Sequence, residues 1–213
     1  MTKGEEMARR EKQTDMTAGS PFQIILNFTI PIFIGNVFQQ FYNMADTIIV
    51  GKFVGTGALA AVGSVGTIVF LIIGFLQGLT AGFSVLTAQR FGAGDMKNMR
   101  KSVGTACVLS VIITVVMTAG SMLGMRSLLQ FMNTPADIFD DAYAYIMIIC
   151  GGIAATVLYN LLSGILRALG DSKTPLYFLI LSALLNVGLD LFFIIVFRMG
   201  VAGAAYALSL IHI

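Results

Sequence analysis

Apolar stretches long enough to cross a membrane recur along this chain of 213 residues, at about 22–51, 58–89, 103–125, 142–166 and 176–197, with a further start at 201. Covering about 30 Å of hydrocarbon takes roughly 20 helical residues, and every complete stretch exceeds that. Backbone amides at bilayer depth have no water to bond, so runs of this length fold as helices that satisfy their own hydrogen bonds. The fold class is therefore all-α, a polytopic membrane helical bundle. Composition excludes an ordinary soluble domain: 57% of residues are hydrophobic and 11% charged, where roughly a quarter would be charged in a soluble protein. No basic block suits nucleic acid, and the lipid bilayer is the first partner implied.

Residues 1–20 read as a polar leader, with Lys3, Arg9, Arg10 and Lys12 set against Glu5, Glu6, Glu11 and Asp15. The apolar run after it is too long for a signal-peptide core and lacks a small-residue cleavage site, so it is expected to be a retained first span. Ten of the 13 cations fall in the leader, between Arg90 and Lys101, and at Arg167 and Lys173. The alternate connections keep Lys52, Arg126 and Arg198. This asymmetry places the N-terminus in the cytoplasm of a cell membrane, with spans one, three and five running outward.

Within the first span sits Asp46, and burying an ionisable group at bilayer depth costs several kcal/mol, so such a residue is by default a candidate for an ion or substrate pathway. Stepping back from it by three and four residues gives Asn43, Gln39 and Asn36, a polar stripe on one helix face that should meet protein or water. Pro31 lies on the same helix and removes a backbone hydrogen bond, which favours a kink. The fifth span carries the second intramembrane acid, Asp190, with Asn186 one turn earlier on the same face. At 1.5 Å per residue, Asp46 and Asp190 lie about 9 and 12 Å inside Lys52 and Arg198, in the same half of the membrane.

Gly74, Gly78 and Gly82 recur at four-residue intervals, with Gly63 and Gly66 before them, and this spacing is read as close helix packing. Gly151 and Gly152 are read the same way. Gly92, Gly94 and Asp95 mark one helix stop and loop, and Gly170, Asp171 and Ser172 lead into Thr174 and Pro175. The connection holding Asn133, Pro135, Asp137, Asp140 and Asp141 reads as a solvated helix cap. Cys107 and Cys150 are too few and too far apart for a metal site or a disulfide framework.

Six segments carry a resemblance: QQFYNMADTIIVG at 39–51, ALAAVG at 58–63, QRFGAGD at 89–95, GILRALGDSKTP at 164–175, NVGLD at 186–190 and GVAGAA at 200–205. Together they resemble the N-terminal half of multidrug and toxic compound extrusion transporters, the MATE family. The resemblance implies one six-helix lobe of a twelve-helix secondary transporter. It further implies export of small cationic or amphipathic drugs in antiport with H+ or Na+, no cofactor, no catalysis, and a C-terminal lobe as partner. It assigns Asp46, Asn186 and Asp190 to cation coupling, with no metal beyond a coupling Na+, and Pro31 to bending of the first helix. A hydroxyl residue common in the family's sixth span would align near Leu208, so one cation ligand is missing. The sixth span is expected to be truncated, with 208–213 a doubtful tail whose His212 has no role.

Other readings rank lower. A structural hydrogen-bonded pair would give Asp46 and Asp190 no transport role. A lipid-linked oligosaccharide flippase of the same superfamily would call for more cations inside the spans to meet pyrophosphate. An intramembrane aspartyl enzyme would pair the acids as a dyad, yet neither sits in a Gly-x-Gly-Asp context. The stripe of Phe38, Phe41 and Tyr42 reads as lipid or core packing, although a drug pocket would use similar aromatics.

Overall fold

The structure is a computed structural model and describes residues 20–211. The leader at 1–19 and His212 fall outside the described residues. Ser20 precedes α1, Pro21–Phe53, and Pro21 at the first helical position has the backbone angle a helix needs and no amide to leave unpaired. The helix runs unbroken through Pro31. It is followed by α2, Thr56–Gly92, and α3, Met96–Phe131. At 37 and 36 residues these are longer than the apolar stretches, because each helix continues into the polar margin.

The turn residues act as the sequence indicates. Gly94 takes a φ of 71°, and Asp95 caps α3 by accepting from the Asn98 amide at 3.1 Å. Those bonds from Asn98, with Arg90 and Lys101 nearby, hold the Asp95 carboxyl below its usual range. A carboxylate lowered in this way supports the fold at neutral pH, and its support is lost as pH falls through the lowered pKa. At the other connection Gly170 has a φ of 89°, and Asp171 Oδ1 accepts from the Lys173 and Thr174 amides at 3.1 and 2.9 Å. Partial burial pulls the Asp171 carboxyl up, but these bonds outweigh it and the net shift is downward. Asp171, rather than Ser172, supplies the side-chain cap of the helix that follows. Asp140 and Asp141 lie in the first turn of α4, Phe139–Gly151, where negative charge complements the helix dipole.

The fourth span is not one straight helix. It is broken into α4 and α5, Ile153–Ala168, bent by 45°. Gly152 sits at the break, with Ser209 packed so closely that a Cβ would lie 3.2 Å from the serine Cβ. The fifth span, α6 at Lys173–Leu191, ends in a π turn, Phe192–Val196, and Arg198 and Gly200 then adopt positive φ before α7, Gly200–Ile211. Among the described residues, four helices are long and apolar enough to cross a membrane, and the bent pair makes a fifth span.

The bundle places α1 against α6, α2 against α5, and α7 against α4. Its core gathers Val50, Ala61, Val65, Leu76, Leu129 and Ile146, all nearly or fully buried. Large apolar side chains such as Phe33, Phe70, Leu123 and Phe178 are exposed, as expected of helices whose outer faces meet lipid. Hydroxyls along α2 bond back to carbonyls one turn earlier, Thr80 to Leu76 and Thr87 to Phe83 at 2.9 and 2.8 Å, so they need no other partner in an apolar setting.

The glycine pattern requires a correction. Nothing lies within 4 Å of a Cβ placed at Gly63, Gly66, Gly74, Gly78, Gly82 or Gly151, so these glycines make no close helix contact within this bundle. Gly152 does make a close approach, to Ser209, and a second one falls at Gly164 of α5, whose Cβ would collide with the Ser84 hydroxyl and lie 3.3 Å from the Ser84 Cβ on α2. Gly164→Val should therefore destabilise the bundle by about 1–3 kcal/mol through overpacking, whereas Gly78→Ala should change it little. Thermal unfolding of the purified protein, followed by reaction of a thiol dye with buried Cys150, measures both. Equal melting of the two variants would remove Gly164 as a packing determinant.

Candidate functional site

The pairing of α1 with α6 brings together the two acids that the sequence separates by more than half its length. On α6 the buried residues are Pro175, Ala183, Asn186 and Asp190, one face at helical spacing, and that face is the one turned inward. Asn186 and Asp190 are 0% exposed and Asp46 is 8% exposed. With α1 packed on α6, the Asp46 and Asp190 carboxyls lie close enough to interact electrostatically. No protein donor reaches Asp46 Oδ1 or either Asp190 oxygen, and neither polar atom of the Asn186 side chain has a partner.

That arrangement is chemically incomplete as it stands. Buried polar groups are normally hydrogen-bonded, and two adjacent carboxylates in a low-dielectric site cannot both remain charged without a proton or cation between them. Carboxylate and carbonyl oxygens are the donors hard cations prefer, and here two buried carboxyls have a buried amide, Asn186, one helical turn before Asp190. No cluster of three or more His, Cys, Asp or Glu that could hold a metal ion occurs among the described residues.

Two tyrosines border the pair. Tyr145 of α4, 5% exposed, lies close enough to interact electrostatically with both acids. Tyr42, read from sequence as packing, is buried one helical turn before Asp46 on α1, and its hydroxyl accepts from Gln39 Nε2 at 3.4 Å. Sequence reasoning missed Tyr145, for which the only signal was a polar-tipped aromatic in an otherwise apolar run.

The polar stripe of α1 divides. Asn36 and Gln39 line a cavity of about 600 Å³ together with Gln77, Thr80 and Ser84 of α2 and Asn160 of α5. Asn43 lies outside its walls, exposed, and donates to Gln40 Oε1 at 3.3 Å. Pro31 is buried within α1. The cavity was not visible in the sequence, because its walls come from four spans.

Comparison with known proteins gives concordant matches. Residues 31–192 match the protein-family model MatE. The probable multidrug resistance protein YpnP of Bacillus subtilis is 35% identical over 92% of this chain and 44% of its own length. The probable multidrug resistance protein YoeA of the same organism is 31% identical over 84% of this chain and 40% of its own length. An outward-facing structure of a multidrug resistance MATE family transporter of the MOP superfamily superposes with a TM-score of 0.89 at 33% identity, covering 94% of this chain and 44% of that one. The chain thus spans under half the length of the relatives it matches.

Proposed function

The chain belongs to the MatE family, and from that membership we propose that it works as one lobe of a secondary active transporter exporting organic cations or drugs in antiport with protons or sodium ions. The observation that carries this reading is the buried pair of Asp46 and Asp190, beside Asn186, with oxygens that no protein donor satisfies. A proton or sodium ion bound there would neutralise the pair. Its release would restore a charge that favours a different arrangement of α1 on α6, since a ligand shifts conformers only through differential affinity. Pro31, fifteen residues before Asp46 in α1, is where that helix can bend without losing a backbone bond it already lacks.

In this reading the protein resides in the cell membrane with the Arg90–Lys101 and Arg167–Lys173 connections in the cytoplasm, by the cation asymmetry. The acids then belong to the outer half and the 600 Å³ cavity to the inner half. The experiment uses right-side-out vesicles bearing a longer protein that contains this lobe, loaded with a fluorescent cationic drug and placed in an imposed proton or sodium gradient. Gradient-dependent efflux is expected, with a cysteine at position 97 unreactive to an external, membrane-impermeant thiol reagent. Efflux indifferent to both gradients would overturn antiport, and strong external labelling at 97 would reverse the orientation.

A further inference from the structure

The cavity between α1, α2, α5 and α6 has one charged wall residue, Arg167, and no acidic one. Its Nε is buried without a hydrogen-bond partner. The acid nearest in sequence, Asp171, is occupied in accepting from the Lys173 and Thr174 amides. The remaining polar walls are amides and hydroxyls, among them Gln39, Gln77, Thr80 and Asn160, while Phe28 and Phe91 supply flat apolar surface. At about 600 Å³ the space falls within the range of ligand pockets.

We infer that this cavity is a binding site for aromatic molecules bearing an anionic group, phosphate or carboxylate, with the Arg167 guanidinium holding that group. The inference rests on the proposed transport function but goes beyond its cationic substrates, adding molecules that carry an anionic end. A guanidinium is charged at every accessible pH and presents a planar fork that matches a carboxylate or phosphate. A purely cationic drug gains nothing from it and is repelled. A zwitterionic molecule, by contrast, can place its anionic end on Arg167 while its cationic end points along α1 toward the acids. Arg167 also lies in the last turn of α5, where a cation complements the helix dipole. That role requires neither a cavity nor an unpartnered Nε.

Two fluorescent probes with one aromatic core separate these roles: riboflavin, and riboflavin 5′-phosphate, which adds only the anion. Binding to the purified chain in detergent is read from quenching of flavin fluorescence. The phosphate ester should bind about ten- to a hundredfold more tightly than riboflavin, the worth of a hydrogen-bonded charge pair. Arg167→Gln should bring the ester down to riboflavin and leave riboflavin itself unchanged. Arg167→Lys should keep part of the preference. Equal affinities in the unsubstituted chain would overturn the inference without reference to any variant, and an Arg167→Gln chain that loses both probes equally would reduce Arg167 to a packing role. Displacement of the ester by short-chain phosphatidylglycerol but not by glycerol phosphate would reassign the site to lipid headgroups. Because binding requires neither a gradient nor a second lobe, these outcomes are independent of whether antiport is correct.

Discussion

Asp46→Asn should reduce gradient-driven efflux by a longer transporter containing this lobe to background, while leaving expression and membrane insertion intact. Asparagine nearly matches aspartate in shape but can neither take up a proton nor supply a negative charge to a sodium ion. In the structure Asp46 Oδ1 and both Asp190 oxygens lack a protein donor. The asparagine side chain could donate its amide to Asp190, so the substitution should remove the cost of two adjacent buried carboxyls without leaving a void. Thermal stability is therefore expected to hold or rise as transport disappears, the trade expected where a site is kept energetically unfavourable for function. Asn186→Ala should weaken coupling more mildly, because it removes a neutral ligand and retains both acids. Drug efflux under imposed proton and sodium gradients, read beside the melting temperature of each variant, is the measurement. Undiminished efflux by a well-expressed Asp46→Asn protein would assign Asp46 to structure.

Asp46 and Asp190 stand out in the sequence because each is a rare residue type in its setting. An acid inside an apolar run stands out without knowledge of its neighbours, and the register of Asn186 with Asp190 follows from helix geometry alone. The spans were legible for the same reason, since hydropathy is a local property. What escaped the sequence depends on contacts between distant segments. The break at Gly152 coincides with Ser209 packing against it from α7, and an apolar run containing two glycines and no proline gives no sign of either. The π turn after Asp190 also has no composition signature. Gly164, cited only within a motif, proves to be a close crossing, whereas the regular stripe at Gly74, Gly78 and Gly82 touches nothing inside the bundle. Spacing alone shows that a helix face is smooth. It does not say which surface covers that face. Arg167 reads from sequence as a flanking cation, and its place in a cavity wall appears only when α2 and α5 are brought together.

Residues 1–213 expressed alone should insert into the membrane yet confer no drug export, and supplying the missing portion of a related transporter in the same cell should restore it. The argument begins with the bare face of α2. Gly74, Gln77, Gly78, Ala81 and Gly82 are exposed, and a smooth helix surface of this kind allows another helix backbone to approach closely. Beside it, the 600 Å³ cavity opens along the same helix at Gln77 and Ala81. In transporters built from repeats, substrate sites lie where one repeat meets the other, and alternating access is largely one repeat rocking against its partner. A bundle with this face uncovered can bind a ligand but has no counter-surface against which to close, so it cannot expose the ligand to one side of the membrane at a time. Binding and transport should therefore separate: the chain alone retains flavin phosphate binding at the cavity and shows no gradient-driven flux. The assay is drug accumulation in cells expressing residues 1–213, with and without the complementary lobe, normalised to the amount of protein in the membrane. Gradient-driven efflux by the chain alone, at the level of a full-length relative, would overturn this and would point to two copies closing on each other through the glycine face of α2.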